Sequence, residues 1–153
     1  IGEIASNNLM NSMSVNGSLS WSPKNSEIFL SPSLSFGRQS NSGDSSYDFI
    51  NPSVYISYRQ RFGQIAETRI NYDWTGSFTT IDAFHYSNHS LSVTAGFLFG
   101  KDRRCRFEVF GYDLLNSARS YNISTTDYST AFRYDSHLGR SVGVSLTFVF
   151  SRR

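Results

Sequence analysis

Three histidines are the residues whose type and spacing first suggest chemistry in this sequence. His85 and His89 are four residues apart, a spacing that places two metal ligands on one face of a helix. The segment between them has no helical pattern and no third ligand nearby, so it predicts no metal site. His137 follows Asp135 and Ser136, but adjacent residues cannot form a catalytic triad, and the sequence has no Gly-x-Ser-x-Gly motif. We therefore predict no catalytic residue, no metal and no cofactor.

Hydrophobic residues recur at every second position through most of the chain. This period determines on which face of a strand each side chain lies. In residues 12–22, Met13, Val15, Leu19 and Trp21 alternate with serine and asparagine. Such alternation predicts a strand with one apolar and one polar face. Seven strands are predicted in this way, and no segment shows the 3.6-residue period of a helix. They cover residues 12–22, 28–36, 50–59, 66–74, 90–99, 105–112 and 141–150.

Three features favour a transmembrane barrel over a soluble sandwich, which would also alternate. With the residues that flank each alternating segment, the predicted strands are about 10 to 13 residues long, enough to cross a bilayer at a tilt, whereas soluble strands have about 5 to 6. Short turns near residues 24, 63 and 101 alternate with long loops at 37–49, 76–88 and 117–138, as periplasmic turns and extracellular loops do in outer-membrane barrels. Aromatic residues on the apolar side gather at strand ends, as in interfacial girdles. These are Trp21, Phe36, Tyr58, Tyr72, Trp74, Phe97, Phe99, Phe148 and Phe150.

Charged side chains on the polar side of the alternation form a second candidate group. An arginine facing lipid at mid-membrane costs about 2–4 kcal/mol, so these residues are predicted to face the barrel interior. There they contact a second domain, line a substrate route, or pair with one another in a hydrated lattice, and the sequence leaves these roles open. The six are Arg59, Glu67, Arg69, Asp73, Arg106 and Glu108.

The composition of the 153-residue chain excludes several other classes. Aromatic residues make up 16% and charged residues only 17% of it, which argues against intrinsic disorder. No apolar run approaches the roughly 18 residues of a membrane-spanning helix. A net charge of +2 is too small to indicate a nucleic-acid partner, and a single cysteine excludes a disulfide framework. The 28 serines suit a hydrated interior and polar loops.

Two motifs near the C-terminus occur in a characteristic order. Residues 107–116 read FEVFGYDLLN, and after a loop Leu138-Gly-Arg140 leads into the last strand. The first motif is similar to the strand ending in an NLfD- or DLLN-like sequence in TonB-dependent outer-membrane receptors of the Bacteroidota type. The last strand resembles the signal read by the barrel-assembly machinery, although the tail at residues 151–153 departs from strands that stop at the aromatic. The signal residues are Ser141, Gly143, Leu146, Phe148 and Phe150.

This resemblance implies a barrel in the outer membrane of a Gram-negative bacterium, with the C-terminus in the periplasm. Counting back places the three short turns in the periplasm and the three long loops outside. Residues 1–11 are then an extracellular remnant, residues 12–150 carry the strands, and 151–153 form a tail. A complete bacterial barrel has an even number of strands. We therefore expect residues 1–153 to be one region, the C-terminal part of a larger antiparallel barrel of about 22 strands, the size of the plugged transporters.

The expected function is structural: the chain supplies wall, loops and assembly signal to a receptor-like barrel for nutrient uptake. Expected partners are the lipid bilayer, the remaining barrel and plug on another chain or fragment, TonB through that fragment, and a surface lipoprotein. Two alternatives stay open. One is a scaffold barrel that organises partner proteins without transport. The other is a self-contained eight-stranded barrel in which residues 121–129 supply the eighth strand.

Overall fold

Strands and turns make up the structure, a computed structural model of the chain. It describes residues 9–40, 46–80, 85–100, 105–117, 119–126, 129–136 and 139–148. Within these ranges there is no helix, and so none long and apolar enough to cross a membrane. The ten strands are β1 (Leu9–Asn16), β2 (Leu19–Trp21), β3 (Ser26–Ser40), β4 (Ser46–Phe62), β5 (Ala66–Thr79), β6 (His85–Phe99), β7 (Cys105–Tyr112), β8 (Arg119–Thr126), β9 (Ser129–Ser136) and β10 (Ser141–Phe148).

Eight of the strands form a single antiparallel sheet. Its order is β1-β3-β4-β5-β6-β7-β10, and β2 also pairs with β3. β1 and β2 share one edge position, because β1 pairs with residues 33–40 of β3 and β2 with residues 28–30. The sheet therefore has seven strand positions, which confirms the all-β antiparallel prediction. Among the residues described, β1 and β10 do not pair with each other, so the sheet is open at both edges.

The four central strands are longer than predicted, and the loops between them are shorter. β3, β4, β5 and β6 contain 15, 17, 14 and 15 residues. The predicted loops at 37–49 and 76–88 were therefore wrong in extent: β3 and β4 stay paired out to Ser40 and Ser46, and β5 and β6 to Phe78 and His85. Backbone hydrogen bonds hold the ladder and do not depend on side-chain type, so pairing continues beyond the end of the apolar alternation.

The predicted loop at 117–138 contains a β-hairpin. β8 and β9 pair from Arg119 opposite Ser136 to Thr126 opposite Ser129, in a separate two-stranded sheet. Residues 121–129 therefore do not add an eighth strand position to the main sheet within the described part of the chain. This segment is rich in serine and threonine and has few apolar residues, so a prediction based on alternating hydrophobic residues does not detect its strands.

The sheet has almost no enclosed core. The accessible surface is 11352 Å², whereas a compact soluble monomer of this mass has about 7,800 Å². Among the described residues Phe49 is the one buried apolar side chain, and no side chain is fully buried. Large apolar side chains stay exposed along the whole sheet, from Met13 at one edge to Val142 at the other, which are 59% and 74% exposed. The fold therefore leaves both broad faces available for contact.

Two glycines on the polar face lie under phenylalanine rings of the neighbouring strand. Gly37 is paired with Phe49, and a Cβ at Gly37 would lie 2.9 Å from that ring and 2.8 Å from the Ser12 Cα. Gly143 is paired with Phe110, and a Cβ there would lie 2.5 Å from the ring. An aromatic ring that covers a cross-strand glycine shields the exposed backbone and helps to define the register.

Replacing Gly37 with alanine tests this packing. Gly37→Ala is expected to lower the free energy of unfolding by about 1–3 kcal/mol, because the new methyl group would overlap backbone atoms of β1 and force the paired strands to shift. The matched control is Gly17→Ala, whose Cβ would meet only Pro32 at 3.6 Å and which should change stability by less than about 1 kcal/mol. Urea unfolding followed by tryptophan fluorescence measures both. Equal effects of the two variants would contradict the packing described.

Candidate functional site

The pairing register sorts the side chains of the main sheet onto two faces. Residues directly opposite each other on neighbouring strands share a face. One row across the sheet reads Trp21, Ile28, Tyr58, Ile70 and Val93. We call the face that carries this row the apolar face and the opposite one the polar face. The polar face carries Ser33, Ser53 and Thr75 in one row, and Glu27, Arg59, Arg69 and Thr94 in another.

Polar residues border the apolar face at both ends of the strands. Towards the connections at 41–45, Asn11, Arg38 and Asp48 form one row, with an Arg38 Nε to Asp48 Oδ1 distance of 3.0 Å. Towards the turns at 22–25 and 63–65, the corresponding row is Ser26, Gln60 and Thr68. Between these two borders, the residues that β4 places on the apolar face are Ile50, Pro52, Val54, Ile56 and Tyr58.

The apolar band between these two borders has a defined height. Eight residue steps separate Ile50 from Tyr58, which is about 26 Å along the strand. At the strand tilt of transmembrane barrels, about 40°, this becomes a height of about 20 Å, close to the band of about 25 Å in outer-membrane proteins. The band also continues without a charged residue from β1 to β10, where Val142, Val144 and Leu146 remain more than half exposed.

The aromatic residues predicted to form girdles share the apolar face wherever they are described. The register places all of them on it except Phe150, which lies outside the described residues. The placed residues are Trp21, Phe36, Tyr58, Tyr72, Trp74, Phe97, Phe99 and Phe148. Their roles at a membrane interface remain predictions.

A hydrogen-bonded cluster on the apolar face was not predicted from the sequence. Tyr72 Oη lies 2.7 Å from His89 Nδ1, and the Trp74 indole N–H donates to Ser87 Oγ at 2.9 Å. Ser87 Oγ lies 3.2 Å from His89 Nε2, which joins the two pairs into one chain. His89 belongs to β6 rather than to the predicted loop. His89 precedes Leu91 and Val93 by two and four residues. Residues separated by an even number of positions lie on the same face of a strand, so the sequence could have predicted its place on the apolar face.

The predicted interior charges lie on the polar face, and most of them form ion pairs. Arg106 Nη2 donates to Glu67 Oε1 at 2.8 Å and lies 2.7 Å from Glu108 Oε1. Arg69 Nη2 is 3.9 Å from the same Glu67 oxygen. Four of the six predicted residues thus form one connected network. Asp73 takes no part in it among the described residues and lies opposite Tyr55 and Ser90.

The fifth predicted charge, Arg59, has a partner that the sequence pattern did not identify. Its Nη1 donates to Glu27 Oε2 on β3 at 3.1 Å. The strand predicted at 28–36 begins at Ile28, which leaves Glu27 in a turn. Glu27 nevertheless precedes Phe29 and Ser31 by two and four residues, so it belongs to the same face of the strand. Extending the alternation by one residue would have predicted that Glu27 lies on the polar face.

The ion-pair network crosses β6 at Gly96. β6 lies between β5, which carries Glu67, and β7, which carries Arg106. Gly96 is paired with both Glu67 and Glu108, and a Cβ on it would lie 3.5 Å from Arg106 Nη2. The Arg106 guanidinium thus lies over Gly96 and joins β5 and β7, which are not neighbours in the sheet.

The Asp113–Asn116 motif forms a tight turn that links β7 to the start of β10. Asp113 and Asn116 both have positive φ, 47° and 53°, and the Asn116 N–H donates to the Asp113 carbonyl at 2.8 Å. Asp113 Oδ1 also accepts a hydrogen bond from the Ser117 N–H at 3.1 Å. Asn116 Oδ1 accepts one from the Arg140 N–H at 3.4 Å and lies against Gly139. The motif therefore has a structural role in joining β7 to β10.

The predicted assembly-signal residues lie at an edge of the sheet. Ser141, Gly143, Leu146 and Phe148 belong to β10, which pairs only with β7 among the described residues. Phe150 is outside the described part of the chain. An edge strand presents unpaired backbone N–H and C=O groups to whatever binds beside it.

The described residues contain no group of three histidine, cysteine, aspartate or glutamate side chains able to hold a metal ion. In comparisons with known proteins, no family model, no curated protein and no solved structure matches the chain. The geometry of the two faces is therefore the basis for a functional assignment.

A double-mutant cycle tests the cross-strand ion pair. Glu67→Gln, Arg106→Gln and the double variant are expected to give a coupling energy of about 1 kcal/mol in unfolding, because both side chains are partly buried and hydrogen-bonded. The control cycle uses Arg38 and Asp48, whose side chains are 63% and 53% exposed, and should give less than about 0.5 kcal/mol. No coupling between Glu67 and Arg106 would contradict the network.

Proposed function

We propose that the chain is a wall segment of an outer-membrane β-barrel, with the apolar face against lipid and the polar face towards an aqueous interior. One observation carries the proposal: an apolar band about 20 Å high that contains no aspartate, glutamate, lysine or arginine among the described residues. Polar rows border it at both ends, and one of them includes the Arg38–Asp48 pair. Strands of 14 to 17 residues, such as β5 and β4, are long enough to span such a band and continue beyond it.

The polar face identifies which side of the sheet must be covered. In a sandwich the inner face of each sheet is apolar and a second sheet covers it. Here the face opposite the apolar band carries Glu27, Arg59, Glu67 and Arg106 in ion pairs. Such a face is suited to water, so the apolar face is the one that must be covered. A continuous apolar surface of this size is otherwise a site of association with protein or membrane.

The open edges support a wall segment rather than a closed small barrel. In hydrocarbon, each unpaired backbone N–H or C=O group costs several kcal/mol, so a sheet with two free edges is unstable in a membrane. β8, the strand that would close an eight-stranded barrel, pairs with β9 instead. We therefore propose that the rest of the barrel comes from another chain or fragment.

The finer assignment is to a barrel resembling the TonB-dependent receptors, involved in nutrient uptake. It rests on the similarity of residues 107–116 and of the last strand to that family. In support, the similar residues Asp113 and Asn116 form the turn that positions β10. The proposed contribution of this chain is wall, external loops and assembly signal, in the outer membrane of a Gram-negative bacterium.

Substitution of two adjacent residues tests the assignment of the faces. Val54→Arg places a charge in the middle of the apolar band and is expected to destabilise the chain in lipid bilayers by about 2–4 kcal/mol. Ser53→Arg places the same charge on the polar face, opposite Ser33 and Thr75, and should change stability by less than about 1 kcal/mol. Denaturant titration in phospholipid vesicles measures both. A penalty for Ser53→Arg as large as that for Val54→Arg would contradict the assignment.

Native mass spectrometry of the material extracted from membranes tests the need for a partner. The expected species is heavier than the 17.3 kDa chain by one further polypeptide rich in antiparallel strands. A plug sequence on that polypeptide favours uptake over scaffolding. A monomer of the chain alone, folded and embedded in the membrane, would contradict the wall-segment proposal.

A further inference from the structure

A recess on the polar face, about 200 Å³ in volume, lies between β3, β4 and β5 near the turn end of the strands. Its lining includes Arg59, Arg69 and Asn71, together with Glu27. Arg59 and Arg69 are directly opposite each other in the register of β4 and β5. Like charges at directly opposed positions destabilise a sheet. Two guanidinium groups in this arrangement therefore favour a negative charge between them.

The described residues compensate the two arginines unequally. Glu27 Oε2 accepts a hydrogen bond from Arg59 Nη1 at 3.1 Å, while Arg59 Nε is buried. The nearest carboxylate to Arg69 is Glu67, at 3.9 Å, which is too long for a hydrogen bond. That same Glu67 oxygen already accepts a hydrogen bond from Arg106 at 2.8 Å. The recess thus contains two cations and a single anion, and the charge of Arg69 is the one left without a close partner.

Hydrogen-bond donors also outnumber acceptors in the recess. The hydroxyls of Ser57 and Tyr55 both donate to Asn71 Oδ1, at 2.8 and 3.2 Å. The Asn71 carbonyl is therefore used, and its Nδ2 group, which carries two N–H donors, has no acceptor among the described residues. Arg59 Nη2 and the Arg69 guanidinium add further donors of the same kind. A group that only accepts hydrogen bonds and carries negative charge satisfies both needs.

The recess also has an apolar side. The rings of Phe29 and Tyr55 line it, with centroids 6.1 Å apart. They provide a surface for the few carbon atoms attached to an anionic group. Arginine is the side chain best suited to such a ligand, because its planar guanidinium binds carboxylate and phosphate oxygens with two parallel hydrogen bonds.

We propose that Arg59, Arg69 and Asn71 bind an oxyanion group, a carboxylate or a phosphate, on the polar face of the sheet. Such a group belongs either to a small molecule or to an acidic side chain of another protein segment. The proposal rests on the proposed function only in that the polar face is in contact with water.

Calorimetric titration of the full chain in detergent micelles tests the site, with any co-purifying polypeptide retained. Inorganic phosphate is the probe, and potassium chloride keeps the ionic strength constant. We expect saturable binding in the millimolar range, and about a tenfold loss of affinity in Arg69→Gln. Arg69→Lys keeps the charge but loses the planar guanidinium, so its phosphate affinity should lie between those of the unsubstituted chain and Arg69→Gln. An absence of saturable binding of phosphate and of the two carboxylate ligands described below would overturn the proposal.

Arg38→Gln is the matched control, because it removes the same charge from the apolar face, outside the recess. It should bind phosphate as the unsubstituted chain does. Ser57→Ala provides a second variant that keeps every charge. It removes one of the two hydrogen bonds that hold the Asn71 carbonyl and should weaken binding by a smaller factor, about two- to fivefold. Equal losses in Arg38→Gln and Arg69→Gln would show a nonspecific charge effect and overturn the site. Far-UV circular dichroism verifies that each variant keeps its strand content.

Two further ligands distinguish the sources of the oxyanion. Acetate presents a free carboxylate, and an acetylated tri-glutamate peptide presents carboxylates on a protein segment. Tighter binding of the peptide than of acetate and phosphate assigns the site to an acidic protein segment, and the reverse order assigns it to a small molecule. Failure of all three overturns the proposal. Flotation of the same preparation with phospholipid vesicles tests membrane insertion separately, so loss of anion binding and loss of membrane insertion are distinguishable.

Discussion

Antiparallel backbone pairing is the constraint on which the rest of this structure depends. Each strand places successive side chains on opposite faces, and the register determines which of them meet their neighbours. A slip of one residue between β4 and β5 would bring Ile56 opposite Asn71 instead of Tyr72, and would mix the two faces across the entire sheet. The apolar band, its polar borders and the ion pairs are all consequences of one register, maintained over 14 to 17 residues in the central strands.

The polar face shows how a sheet with few charges can still be organised. Glycine and charge lie together there: Arg106 bridges from β7 to β5 over Gly96. At the opposite extremes of the same face, Gly37 and Gly143 accept phenylalanine rings from the paired strand. Small residues thus determine where long side chains lie. The arginines of β4 and β5 have no such glycine between them, and they remain opposed at the surface of a recess.

Much of this architecture is predictable from the amino-acid sequence, because a strand alternates its side chains with a period of two. Alternation alone locates all seven strand positions and assigns Arg59, Glu67 and Arg106 to the polar face. Strand ends are less predictable, since from Gly37 to Ser40 the apolar alternation has ended, while backbone pairing and polar contacts such as the Arg38–Asp48 ion pair continue. The hairpin of β8 and β9 escapes prediction because serine and threonine hide the alternation. Partner choice is also beyond sequence reasoning: Glu67 lies closer to Arg106, which is two strands away, than to Arg69 on its own strand.

The order of the strands in the main sheet limits how the sheet can be completed. Six successive antiparallel steps lead from β1 to β10, so the two free edges run in the same direction. Direct closure of the sheet on itself would therefore require a parallel seam. A second copy of the chain with the same orientation in a membrane would also meet these edges in parallel. Closure by antiparallel pairs alone requires a complement whose two outer strands both run the opposite way, which is possible only if that complement contains an odd number of strands.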